Sequence, residues 1–121
     1  MAKKVCAALG YAGVRVLAGD RLPVEGGALV EVDAANDEAG GVYVNWEPSP
    51  ELSKTVRDSL MAGHRHGPVF DLYGSISLSM RNALTEVLRH SGFRVDPVDD
   101  AGGEPTILVL GLNSEMQDPL A

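Results

Sequence analysis

The chain holds one cysteine, Cys6, so it cannot close an internal disulfide. It has no run approaching the roughly 18 apolar residues that a membrane-spanning helix needs. Lys3 and Lys4 precede an apolar run, as at the start of a secretion signal, but that run stops at Gly10. A signal needs a longer apolar segment. The expectation is a cytoplasmic protein with no membrane association, and a lone thiol suits a reducing compartment. Cations are scarce as well. Ten Lys and Arg stand against 17 Asp and Glu, a net charge of -7. Such a field repels nucleic acid and anionic membrane. Catalytic signatures are missing too. Gly10-Tyr-Ala-Gly13 lacks the full glycine pattern and the Lys-Ser/Thr of a phosphate cradle. No serine sits in a nucleophile elbow. Cys6 has no activating base near it in sequence and reads as a small buried thiol.

What is present is ordinary globular material. The length of 121 residues fits one domain, and 45% apolar content fits a packed core. A chain of this size buries roughly two-thirds of its unfolded surface and needs no metal to fold. Ala, Gly and Val supply 41 residues, and Arg (7) exceeds Lys (3), a bias of GC-rich bacterial genomes.

Periodicity divides the chain into elements. Residues 2–12 read either as a short helix with Val5, Ala8, Leu9 and Ala12 on one face, or as a buried strand over Val5–Leu9. One comparison favours the helix. The stretch from Val5 to Val16 aligns without gaps on the stretch from Leu84 to Val95, through a glycine at Gly13 and at Gly92. Both look like a helix tail, a left-handed glycine and a strand start. Convergence on one αβ turn explains this more simply than duplication. A short strand follows at 14–17, then a loop at 18–27. Ala28–Asp33 and Val42–Trp46 alternate and predict a hairpin, with Val30 and Val32 on one face and Glu31 and Asp33 on the other, and with Val42, Val44 and Trp46 inward and Tyr43 outward. Its acidic tip, Asp33 to Glu38, has the wrong spacing for calcium.

Ser49-Pro50-Glu51 is a helix start: an N-cap, a first-turn proline and a carboxylate that suits the dipole. Leu52, Val56, Leu60 and Met61 form its stripe, and Gly63 ends it. A second helix is expected from about Ser75 to Ser91, with Ser75, Ser77 and Ser79 as helix-start residues. Its core-facing stripe is Ile76, Met80, Ala83, Leu84, Val87 and Leu88. Phe93 to Asp96 begins a strand that Pro97 limits to an edge or an early end. Asp96, Asp99, Asp100 and Glu104 form an acidic turn. Thr106 to Leu110 is apolar on both faces and reads as a central strand. The fold class is α+β: a mostly antiparallel sheet, from the hairpin at about 28–47 and strands at about 93–96 and 105–111, with two or three helices on one face. The domain spans 1–111, and 112–121 is a polar tail.

The densest collection of reactive side chains lies between the helices: His64, Arg65, His66, Asp71 and Tyr73. On an extended backbone His64 and His66 point the same way, and Asp71 or His90 are the nearest third ligands for a metal. Zinc sites show cleaner spacing, and polar residues after a helix end are usually solvated. Phe70 and Leu72 read as a short extended plug into the core. A sheet face showing Tyr43 and Arg94 is a further place for a partner. No metal or cofactor is assigned. The expected function is non-catalytic: a module that binds another protein or itself. The acidic surface suits a basic partner. The alternative is a small-ligand, metal or anion site, possibly enzymatic, in the 63–74 connection.

Overall fold

The computed structural model describes residues 1–18, 25–32, 41–100 and 102–113. The acidic hairpin tip, most of the first loop and the tail from 114 onward lie outside the described residues. In chain order the elements are α1 (Ala2–Tyr11), β1 (Val16–Ala18), β2 (Gly27–Val32), β3 (Val42–Glu47), α2 (Pro50–Met61), α3 (Pro68–His90), β4 (Phe93–Asp99) and β5 (Pro105–Leu112).

Alternation builds the sheet. Val30 pairs with Val44, and Val44 with Ile107, so one face is a row of branched side chains. The five strands run in the order β1-β2-β3-β5-β4. β1 pairs with β2 in parallel, and the other neighbours are antiparallel. β5 is central, as its two-faced apolarity implies, and Thr106, Ile107 and Val109 are all buried. Val5, Ala8 and Leu9 of α1 and Leu84 and Leu88 of α3 complete one core with Ala28, Val42, Val44, Phe93, Ile107 and Val109. The chain is therefore an α+β domain with a mostly antiparallel sheet and three helices.

The N-terminal segment is the helix of the two readings. Its exit uses Gly13 at φ 82°, where Gly13 N donates to Gly10 O and Val14 N donates to Leu9 O. These bonds satisfy the last free carbonyls of α1. Gly92, at φ 95°, plays the same part after α3, so the two aligned stretches do share one αβ turn.

Several expectations are corrected. β1 starts at Val16 rather than residue 14. β4 runs through Pro97 to Asp99, because an edge strand tolerates a residue without an N–H. The largest change is in α3. It begins at Pro68, not near Ser75, so residues 68–74 are helix and the extended plug does not exist. Ser75, Ser77 and Ser79 sit inside the helix, with Ser77 buried. Of the expected α3 stripe, Leu84 and Leu88 are buried, Ile76, Met80 and Val87 are half-buried, and Ala83 is exposed. Cys6 is half-buried rather than buried.

Candidate functional site

Two surfaces remain once the core is assigned. The first is the hairpin made by α2 and the front of α3. Ser49 caps α2, its Oγ accepting from Leu52 N at 3.2 Å, with Pro50 in the first turn. Gly63, at φ 89°, ends α2: Gly63 N donates to Leu60 O and His64 N to Ser59 O. Gly67-Pro68 then opens α3, in the same form as Ser49-Pro50. That repeated signal was legible in the sequence and marks the true start of α3.

The candidate residues of the connection fall along this turn. His64, Arg65 and His66 are exposed, Asp71 is exposed in the first turn of α3, and Tyr73 is half-buried two residues further on. Among the described residues no hydrogen bond or ion pair joins these five side chains, and no group of His, Cys, Asp and Glu is placed to hold a metal. His90 cannot reach the pair of histidines. It ends α3, about 33 Å along the axis from Pro68, and pairs with Glu86 at 3.7 Å. Burial raises the Tyr73 hydroxyl pKa, and the carboxylates of Glu47 and Glu104 add to the effect. The front of α3 therefore lies at the sheet end where β3 stops and β5 starts.

At about 1.5 Å per residue, the 23 residues of α3 extend about 35 Å. At about 3.3 Å per residue, the seven residues of β4 extend about 23 Å. Arg81 ties α3 to the end of β4, with Nη1 donating to Val98 O at 3.2 Å and to Asp99 Oδ1 at 3.4 Å. Every buried side chain of α3 lies at Ser77 or beyond. From Ser49 to Ile76 no residue is buried, and α2 contributes none at all. Leu52, Val56, Val69, Phe70 and Ile76 are half-buried. Leu60 (46% exposed), Leu72 (51%) and Met61 (82%) stand further out. An amphipathic helix with a half-buried stripe and no fully buried residue gains less stability from packing than one seated in a core.

Between Pro50 and Ile76 the charges are Lys54, Arg57 and Arg65 against Glu51, Asp58 and Asp71, a sum of zero. The other described residues sum to -2, so most of the chain's -7 falls on residues outside the described ones.

The second surface is the sheet face opposite the helices. It carries Leu29, Glu31, Tyr43, Asn45, Glu47, Asp96, Val98, Thr106 and Leu108 by strand parity. An open hollow of about 480 Å³ lies there, lined by Glu31, Tyr43, Asn45, Val98, Asp99, Asp100, Thr106 and Leu108. Burial raises the Glu47 carboxyl pKa, and the nearby Glu31 carboxylate raises it further. Arg94 shares this face; Leu110, the extra residue opposite the Arg94/Val95 shift, lets Gly111 lie beneath its guanidinium. The acidic turn is held by Asp100, whose Oδ1 accepts from Gly102 N and Glu104 N. That carboxylate has structural work, and the hollow gathers no nucleophile with a base beside it.

The chain matches no protein-family model, no curated protein and no solved structure. Among the described residues no helix is long and apolar enough to cross a membrane. The geometry of the two surfaces is what remains to argue from.

Proposed function

We propose that the chain is a non-catalytic binding module that presents the apolar face of its α2–α3 hairpin to another polypeptide chain. The observation that carries this reading is the stretch from Ser49 to Ile76, in which no residue is fully buried and Leu60, Met61 and Leu72 stand in water. Leaving Leu60, Met61 and Leu72 in water forgoes the transfer free energy that burial returns, on the order of 1 kcal/mol for each half-exposed side chain. A docked chain recovers it. Exposed apolar side chains gathered in one segment mark an interaction site.

Small-ligand, metal or anion binding at 63–74 has less support. His64, Arg65 and His66 are exposed, and no described group converges with them on a shared point.

Site-specific photo-crosslinking tests the reading. A photoreactive residue replacing Leu72 should give a discrete polypeptide adduct in the cells that make the protein. The same residue replacing Glu86, on the exposed side of α3 over the body, should give none. Failure to crosslink at position 72, or equal adducts at both positions, refutes a docking face on the hairpin.

A further inference from the structure

The sheet has a face that no helix covers, and charge is divided unevenly between the sheet and the helices. α1 and α3 both pack on the side of Val42, Val44, Ile107 and Val109. They carry Lys3, Lys4, Arg81 and Arg89 against Asp71 and Glu86. Strands β2, β3, β4 and β5 with the β4–β5 turn carry Glu31, Glu47, Asp96, Asp99, Asp100 and Glu104 against Arg94 alone. Among the described residues no cation stands within ion-pair distance of Glu31, Glu47 or Asp96. Burial, and then the Glu31 carboxylate, opposes ionisation of Glu47, as happens where negative charge is not balanced.

One pairing on this face is specific. Glu31 and Tyr43 are directly opposed across β2 and β3, which sets their β-carbons about 4.5–5.5 Å apart on one side of the sheet. Both line the open hollow, where Val98 and Leu108 continue the apolar floor and Asp99 and Asp100 stand beside it. No Lys, Arg or His is among its described lining. An aromatic ring beside an unpaired carboxylate fits a guanidinium group, whose plane stacks on the ring while its fork takes the carboxylate oxygens. The hollow is open, so a free small cation there stays in water, whereas a side chain carried on a backbone is held by the surrounding face. Four strand spacings of about 4.8 Å and six residues of about 3.3 Å make that face about 19 by 20 Å. It has room for about six residues of one extended segment.

We infer that the uncovered sheet face docks an extended, arginine-bearing segment of another polypeptide, with one arginine in the hollow between Tyr43 and Glu31. Charge complementarity brings the segment to this face, and the paired ring and carboxylate select arginine over lysine. The site is separate from the α2–α3 hairpin and does not rest on it.

Fluorescence anisotropy on the full chain tests this, with labelled peptides of about six residues that alternate alanine with arginine, lysine or citrulline. The arginine peptide should bind with a Kd on the order of 10–100 μM in dilute buffer, as small transient contacts do, and more weakly at about 300 mM salt. The lysine peptide should bind several-fold more weakly, and the uncharged citrulline peptide should not bind. Glu31→Gln removes a carboxylate at an exposed position and should weaken the arginine peptide about 10-fold. Tyr43→Leu should weaken it about 3-fold. Glu51→Gln, an equal loss of charge on exposed α2, should leave the Kd alone. Glu31→Gln keeps the test decisive if Tyr43→Leu does not fold. No binding of the arginine peptide up to about 1 mM, or wild-type affinity in Glu31→Gln, overturns the proposal. Equal weakening by Glu31→Gln and Glu51→Gln overturns it by reducing the effect to net charge, and equal binding of the arginine and lysine peptides removes the guanidinium site. None of these outcomes bears on crosslinking at Leu72, so the two surfaces stand or fall separately.

Discussion

Truncating two leucines of one helix, Leu88→Ala and Leu72→Ala, compares its sheet face with its solvent face. Leu88 is fully buried between α3 and the sheet, with Leu84, Phe93 and Ile107 in the same cluster. Removing its side-chain atoms forfeits their transfer free energy and leaves a cavity that the branched strand residues cannot fill. The expected cost is about 3–5 kcal/mol. A domain of this size has about 5–15 kcal/mol in all, so this variant should sit close to the edge of folding. Leu72 is 51% exposed. Half of its surface never leaves water in an isolated chain, no closed cavity forms, and alanine is the better helix former. The expected cost is about 1 kcal/mol or less. Urea unfolding followed by circular dichroism gives both numbers, provided the slope m is the same for the two variants and the wild type. At low micromolar protein the two should differ by about 2–4 kcal/mol. Equal costs in dilute solution would refute the assignment of Leu72 to the solvent face of α3 and of Leu88 to the sheet face.

The remaining predictions are local. Glu47 holds a proton more tightly in the folded chain than in the unfolded one, first because it is partly buried and next because Glu31 is near. Its charged form therefore opposes folding, and stability from this group rises as pH falls from about 7 through its raised pKa, then levels off below the unfolded value. Glu47→Gln should remove that component and raise the melting temperature near neutral pH; thermal melts from about pH 4.5 to 8 check it. Ser49→Ala loses the bond from Leu52 N and should cost about 1 kcal/mol, read as a lower urea midpoint. Gly27→Ala places a β-carbon 2.6 Å from the Arg15 carbonyl oxygen, at the point where Ala28 N donates to that oxygen. It should cost about 2 kcal/mol or more. Gly10→Ala, with open space inside α1, should instead gain up to about 1 kcal/mol, and opposite shifts in urea midpoint distinguish the two.

Much of the local structure was written in short-range chemistry. The alternation of Val42, Val44 and Trp46 fixed a strand with Tyr43 on its other side. Ser49-Pro50 fixed the start of α2, and Gly13, Gly63 and Gly92 fixed three helix exits through a conformation that other residues adopt at a cost. Where a local signal was read incompletely, the element shifted. Gly67-Pro68 has the form of a helix start, yet the apolar alternation of Val69 to Tyr73 pointed to an extended segment. A helical stripe and a strand face cannot be told apart over so few residues. The candidate residues His64, Arg65, His66, Asp71 and Tyr73 were visible as a cluster in sequence, but three of them lie on an exposed turn and two on a helix.

Amino-acid order by itself determined the α+β class, the apolar stripes and the acidic balance, because each depends on neighbours a few positions apart. Tertiary structure alone decided the strand order, the parallel placement of β1 and which stripes are covered. Leu88 and Leu72 belong to one helix. Only the first is buried, because sixteen residues at about 100° each set the two about 160° apart around α3: Leu88 faces the sheet, and Leu72 lies on the face of the exposed Ala83, Glu86 and His90. Which face of α3 is covered is a property of elements laid side by side, and no window along the chain contains it.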